Sequence, residues 1–258
     1  MKQILLTILA LGTFAVVNAQ DGLHNRGELY VEPGAALYVG GQFTNTTAGV
    51  DFRNHGTFTL TGNFTNDQVM SWYAGKIIFD GNNGQSINGT ATFNTKDFDA
   101  SNPIGVTLNT PLRVDGVCSF SEGLLNAATI TTPIIFTSNA SHTGASNASH
   151  VNGYVVKEGN GNFIFPIGDI THYEPASVNF TTNLSGTRAK YFPTDAGSAP
   201  YAITGYSPVE LLFYNKLEQW DISPLSAATG TVTMYWNSTN NVGIGATSDL
   251  RVAHKIGG

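Results

Sequence analysis

Asp97 and Asp99 are the residues whose type and spacing come nearest to catalytic chemistry in this chain. Two carboxylates separated by one residue in an extended segment project from the same face. A converging carboxylate pair is what acid–base cleavage of a polysaccharide requires. Asp115 and Glu122 follow about one repeat later and complete the candidate cluster. No Lys or Arg near it belongs to a motif that would place it as a base or a substrate clamp. A solvated acidic face is the plainer reading of the same residues.

The remaining reactive groups are sparser. Asp80-Gly81-Asn82-Asn83-Gly84 has the beginnings of a calcium loop, but it lacks the terminal bidentate Glu and most of the ligand spacing, so it reads as a turn. His142 and His150 end two copies of Ser-Asn-Ala-Ser-His, with no adjacent acidic or Cys partner; the segment reads as a loop and no metal site is expected. Cys118 is the single cysteine, so it forms no internal disulfide, and in Val117-Cys118-Ser119-Phe120 it reads as a small buried hydrophobe. Trp220 and Trp236 read as core anchors, with stacking on a carbohydrate as their alternative role. There is no phosphate-binding glycine loop, no zinc spacing and no Ser/His/Asp arrangement, and no cofactor is expected.

Composition narrows the class. The 258 residues carry 12 Lys and Arg against 18 Asp and Glu, a net charge of −6 with no basic patch, which argues against nucleic acid as a partner. Only 12% of residues are charged, about half the usual ~25%. Polarity comes instead from Thr, Asn, Ser and Gly, which suit strands and tight turns. At the N-terminus, Lys2 precedes a largely apolar run from Ile4 to Val17, which is short for a membrane span. With Val17-Asn18-Ala19 at the cleavage positions, residues 1–19 read as a secretory signal peptide cut before Gln20. No later segment is long and apolar enough to span a bilayer.

The elements that would position these groups are strands. Apolar and small polar residues alternate with period two, as in Phe58, Leu60 and Phe64, and Gly and Asn interrupt the strands at short intervals. Helical spacing is absent, so the chain should be all-β. Two phrases repeat. Asn25-Arg26-Gly27-Glu28-Leu29-Tyr30-Val31 returns as Asn54-His55-Gly56-Thr57-Phe58-Thr59-Leu60. Gly41-Gln42-Phe43-Thr44-Asn45 returns, at a shorter offset, as Gly62-Asn63-Phe64-Thr65-Asn66. Stacked coils explain such near-repeats better than a sandwich does. Residues 20–150 therefore read as an N-terminal parallel β-helix (solenoid), with Glu32 to Val39 as an inserted outgrowth on one coil. From Val151 the strands lengthen, for example Phe163 to Gly168, Pro208 to Tyr214 and Gly230 to Trp236, and residues 151–258 read as an antiparallel β-sandwich.

Several phrases carry a family likeness. Val151-Asn152-Gly153-Tyr154-Val155-Val156-Lys157 followed by Phe163-Ile164-Phe165-Pro166-Ile167-Gly168 resembles a segment of large cell-surface proteins of Bacteroidetes. There the segment leads into a Tyr-Arg-Pro; here Tyr173-Glu174-Pro175 stands in its place, with Glu for Arg, and Tyr154 replaces a Pro. Residues 56–66, 84–94 and 250–254 and the Ala-Gln at the end of the leader are similar to the same proteins. The resemblance implies type IX secretion to the cell surface or medium and an adhesin-like role. Such proteins normally end in a sorting domain, which is not seen before Gly258, so the chain is expected to be a fragment. The expected function is that of a non-catalytic surface protein that binds glycans or proteins through extended β surfaces. A carbohydrate-active enzyme or carbohydrate-binding module on the β-helix is the alternative, with Asp97 and Asp99 as its weak catalytic candidates.

Overall fold

The computed structural model describes residues 22–49, 51–71, 74–182, 185–195 and 216–236. The expected signal peptide and the strands expected at 208–214 and 250–254 lie outside them. No helix occurs among the described residues, and the chain folds as a parallel β-solenoid of about six three-sided coils. Coil one runs through β1 (Leu23–His24), β2 (Glu28–Val31) and β3 (Ala36–Val39), and coil two through β4 (Phe43–Asn45), β5 (Asp51–Asn54) and β6 (Thr57–Leu60). Coil three contributes β7 (Phe64–Asn66) and β8 (Lys76–Phe79), with buried Met70 filling the core between them. Coil four is β9 (Gln85–Asn88), β10 (Phe93–Thr95) and β11 (Asp97–Ser101); coil five is β12 (Val106–Leu108), β13 (Leu112–Val114) and β14 (Val117–Glu122). Coil six is β15 (Leu125–Ala127), β16 (Ile134–Phe136) and β17 (Ser141–Thr143).

The chain continues through β18 (Val151–Gly153), β19 (Val155–Lys157), β20 (Gly161–Phe165), β21 (Ile167–Gly168), β22 (Ala176–Phe180), β23 (Thr187–Phe192), β24 (Gln219–Pro224) and β25 (Gly230–Met234). Side one of the solenoid is the eight-stranded sheet β1-β4-β7-β9-β12-β15-β18-β21. Side two begins as β2-β5 and resumes as β10-β13-β16-β19. Side three is β3-β6-β8-β11-β14-β17. Sheet membership does not change at residue 150: β18 and β21 extend side one in parallel and β19 extends side two. Antiparallel pairing starts where β23 joins β19 and β24 joins β23, and β20, β22 and β25 form a separate antiparallel sheet.

Strand alternation dictates the core. In each short strand one set of side chains points inward, so residues in register stack into columns ~4.8 Å apart. Side three stacks Leu37, Phe58, Ile77, Phe98, Cys118 and His142. Side one stacks Phe43, Phe64 and Ile87, with ring centroids of the first two 4.8 Å apart. Cys118 is fully buried in its column, as expected of a small hydrophobe. The core ends under β20, where Phe163 packs against Phe136 and His142 at centroid distances of 5.2 and 5.6 Å.

Corners are built by amides and glycines. Asn25 Nδ2 donates to Asn45 Oδ1 at 2.9 Å and Asn45 Nδ2 to Asn66 Oδ1 at 2.7 Å, giving a buried ladder that climbs one coil at each step. Gly123 has φ +73°, and a Cβ there would stand 1.8 Å from the Asn102 carbonyl oxygen, so the coils meet too closely for any side chain.

The two sequence repeats prove to be different things. Phe43-Thr44-Asn45 lies in register on Phe64-Thr65-Asn66, one coil apart. The longer phrase does not stack on its copy: Leu29 pairs with Phe52 on side two, whereas Phe58 pairs with Leu37 on side three. What recurs is a corner. Asn25 Nδ2 reaches the Asp51 carbonyl and Asn54 Nδ2 the Lys76 carbonyl, both at 2.9 Å, each bridging to the next coil. The expected insertion, Glu32 to Val39, is accordingly no outgrowth; it holds β3, a full side of coil one.

Candidate functional site

Asp97 and Asp99 do share the outward face of β11, with Phe98 and Ala100 pointing into the core between and beyond them. The structure then ties each one down separately. Asp99 is buried beneath Lys76, whose Nζ lies 2.6 Å from Oδ2, and it accepts a hydrogen bond from Ser121 Oγ at 2.6 Å. Asp97 Oδ1 accepts the Val117 backbone N–H at 2.7 Å. Asp115 sits at the corner beyond β13, held by Lys96 at 3.0 Å and Thr137 at 2.8 Å, and these hydrogen bonds hold its carboxyl below the usual range. Glu122 is exposed at the end of β14. Asp97, Asp99 and Asp115 thus accept from donors on the neighbouring coils, and neither the groove described below nor the small cavity beside Met70 is lined by any of the four carboxylates.

His142 and His150 are engaged apart from each other. His142 turns into the core, where burial pushes its pKa down, with Nε2 2.7 Å from the Ile164 carbonyl. His150 is fully buried, with Nδ1 2.9 Å from the Ser146 carbonyl and Nε2 2.7 Å from that of Asp169. Among the described residues no group of three His, Cys, Asp or Glu could hold a metal ion. Trp220 is half-buried, its ring 5.3 Å from that of Tyr191 and its Nε1 donating to the Glu174 carbonyl at 3.0 Å. Trp236 departs from the core-anchor expectation: it is 44% exposed, because it follows β25, which pairs with β22 at the end of the three-stranded sheet.

Two features escaped the sequence reading. The first is the outer surface of side one. His24, Thr44, Thr65 and Asn88 stand in register, as do Ser86, Thr107, Asn126 and Asn152. None of these side chains is buried, and none is an acid, a lysine or an arginine. Amide and hydroxyl groups knit the strip together: Asn109 Nδ2 donates to Asn88 Oδ1 at 2.8 Å and Asn152 Nδ2 to Asn126 Oδ1 at 3.1 Å. The signal was present in the outward-facing letters of successive short strands, but it becomes a surface only when the strands are stacked.

The second is a groove of about 530 Å³ at the β21 end of this strip. Its walls are Asn152, Asp169, Ile170, Lys190 and Phe192 with their immediate neighbours. Beneath it the Tyr191 hydroxyl donates to Glu218 Oε2 at 3.1 Å, and burial followed by the Glu218 carboxylate pushes the phenol up. Comparison with protein-family models, with curated proteins and with solved structures gives no match.

Proposed function

We propose that this chain is a non-catalytic, exported surface protein of structural or adhesin-like kind, and that it holds glycan or protein through side one of its solenoid. The observation that carries the reading is the uncharged strip. A row of Ser, Thr and Asn side chains spaced ~4.8 Å apart offers a donor and an acceptor at each step. A flat face of this kind gains affinity by adding many weak polar contacts, and it suits an extended partner better than a compact one. The paired, individually satisfied carboxylates on β11 and beyond β13 fit a scaffold better than a hydrolytic centre.

The likeness of residues 151–168 to Bacteroidetes surface proteins, with the leader-like residues 1–19, supports export by the type IX route. In the same reading the antiparallel strands β22 to β25 belong to a β-sandwich that the solenoid presents at its end. The test is a binding panel of neutral glycans, acidic glycans and purified cell-surface proteins. Thr65→Glu and Asn126→Glu introduce charge into the strip without touching the core. Both should abolish binding of the panel ligand that the unmodified protein retains. Unchanged binding in both variants refutes the strip, and measurable turnover of a panel glycan that is lost in Asp97→Ala or Asp99→Ala would install the enzyme reading instead.

A further inference from the structure

The groove at the end of the strip has a chemistry that the strip lacks. Lys190 Nζ lies 4.4 Å from the Tyr154 ring centroid, 4.8 Å from that of Phe192 and 3.5 Å from the Ala128 carbonyl oxygen. Its cross-strand neighbour Asp221 is engaged by Arg188 Nη2 at 3.2 Å and by Ser223. Among the described residues Lys190 has no ion-pair partner in contact, so a cation stands on two aromatic rings with its charge uncommitted. Burial pushes its pKa down, and the more distant Asp221 charge offsets this only in part, the mark of an ammonium that has lost some of its hydration.

The acceptors beside it are half used. Asp169 Oδ1 accepts Thr171 N at 2.6 Å, Thr171 Oγ1 at 2.9 Å and His172 N at 2.7 Å, which leaves Oδ2 without a donor among the described residues. Asn152 spends its amide N–H on Asn126 and keeps Oδ1 free in the same sense. Ile170, 74% exposed, and Phe192 supply apolar surface.

We propose that this groove binds one sugar unit bearing a single negative charge, a uronate or a sulfate ester, within a glycan that lies along side one. Lys190 takes the anionic group, Asp169 Oδ2 and Asn152 Oδ1 accept ring hydroxyls, and Ile170 and Phe192 cover a C–H face of the sugar. The volume falls within the ~300–1,000 Å³ of ordinary small-ligand sites. One cation beside one carboxylate suits a monoanion; a phosphate dianion would face Asp169 with too little positive charge to offset it. The assignment rests on the strip reading, since Asn152 belongs to both surfaces.

Dextran, dextran sulfate and oligogalacturonate serve as probes, measured by calorimetry or biosensor at physiological salt. The acidic probes should bind more tightly than dextran, and whichever of the two binds names the anion. Lys190→Gln should weaken acidic-probe binding about tenfold, the usual weight of one charge-assisted hydrogen bond. Ile170→Glu, on an exposed loop, should weaken it comparably without altering the melting midpoint. Val69→Glu adds the same charge at a side chain 88% exposed and several coils from the groove, and it should leave acidic-probe binding unchanged. The assignment falls if neither acidic probe binds, if Lys190→Gln has no effect, or if Val69→Glu weakens binding as much as Ile170→Glu. If Thr65→Glu and Asn126→Glu abolish neutral-glycan binding while Lys190→Gln changes nothing, the groove assignment alone fails. If those strip variants change no ligand at all, the strip reading fails.

Discussion

Lys157→Met should destabilise the protein severely although Lys157 lies in no proposed binding surface. Lys157 stands in an inward column of side two, directly above Phe136, and is only 7% exposed. Its Nζ donates to the carbonyl oxygens of Thr137 at 2.5 Å, Ser138 at 3.0 Å and Ala140 at 2.8 Å, and lies 5.0 Å from the Phe163 ring centroid. One ammonium thus gathers the loop between β16 and β17 under the cap formed by β20. Methionine keeps the stem length and the apolar contact but removes all three donors. Thr137 O retains the Ala140 N–H at 3.1 Å, whereas the other two carbonyls lose their side-chain donor. The Ala140 carbonyl, left unsatisfied in a buried site, costs ~1–3 kcal/mol, and the hydrogen bonds lost at Thr137 and at the exposed Ser138 cost ~0.5–1.5 kcal/mol each, about 2–6 kcal/mol in all. That is a large part of the ~5–15 kcal/mol that holds a typical domain together, and it lowers the melting midpoint on the order of 10 °C. Thermal and urea unfolding followed by circular dichroism measure it. A variant within ~0.5 kcal/mol of the parent, the range of an ordinary surface substitution, would refute the claim that the carbonyl cage closes the solenoid.

Three further outcomes follow from the same geometry. Asn45→Leu breaks two steps of the buried amide ladder, leaving Asn25 only its bonds to Asp51 and Gly27 and Asn66 only those to Gln68, so urea unfolding should show a loss of about 1–3 kcal/mol, the net weight of two hydrogen bonds; an equally stable variant would mean that the ladder is replaceable by apolar packing. Asp115 is held below its ordinary range by Lys96 and Thr137, so its contribution is present above the unfolded value near pH ~4 and is lost as pH falls through the folded one. Asp115→Asn should therefore flatten the acid limb of the stability profile below about pH 4. Cys118 is fully buried, and burial with the nearby Asp99 charge pushes its thiol up, so a thiol reagent should label it only at the rate of global unfolding; rapid labelling of the native protein would place Cys118 on an opening segment.

Side-chain alternation was legible in the chain because a strand has period two: Phe-Thr-Asn sends Phe inward and Thr outward wherever it occurs. The all-β class, the solenoid and the burial of Cys118 follow from that local rule together with the Gly and Asn that turn the corners. The chain also marks Asp97 and Asp99 as neighbours on one face. It does not carry the identity of their partners, because Lys76 and Ser121 arrive from the coils on either side.

Stacking is the decision that sequence spacing leaves open. Two similar phrases in close succession can be one coil with an insertion or two corners of a triangle, and only the register of Leu29 on Phe52 and Leu37 on Phe58 separates these. The strip from Thr44 to Asn152 and the groove around Lys190 arise the same way, from residues of many coils brought within one strand spacing of each other. Alternation is a property of consecutive residues and is written in the chain. A binding face here is a property of consecutive coils, fixed by how sharply each corner turns and how closely, at residues such as Gly123, one coil can lie against the next.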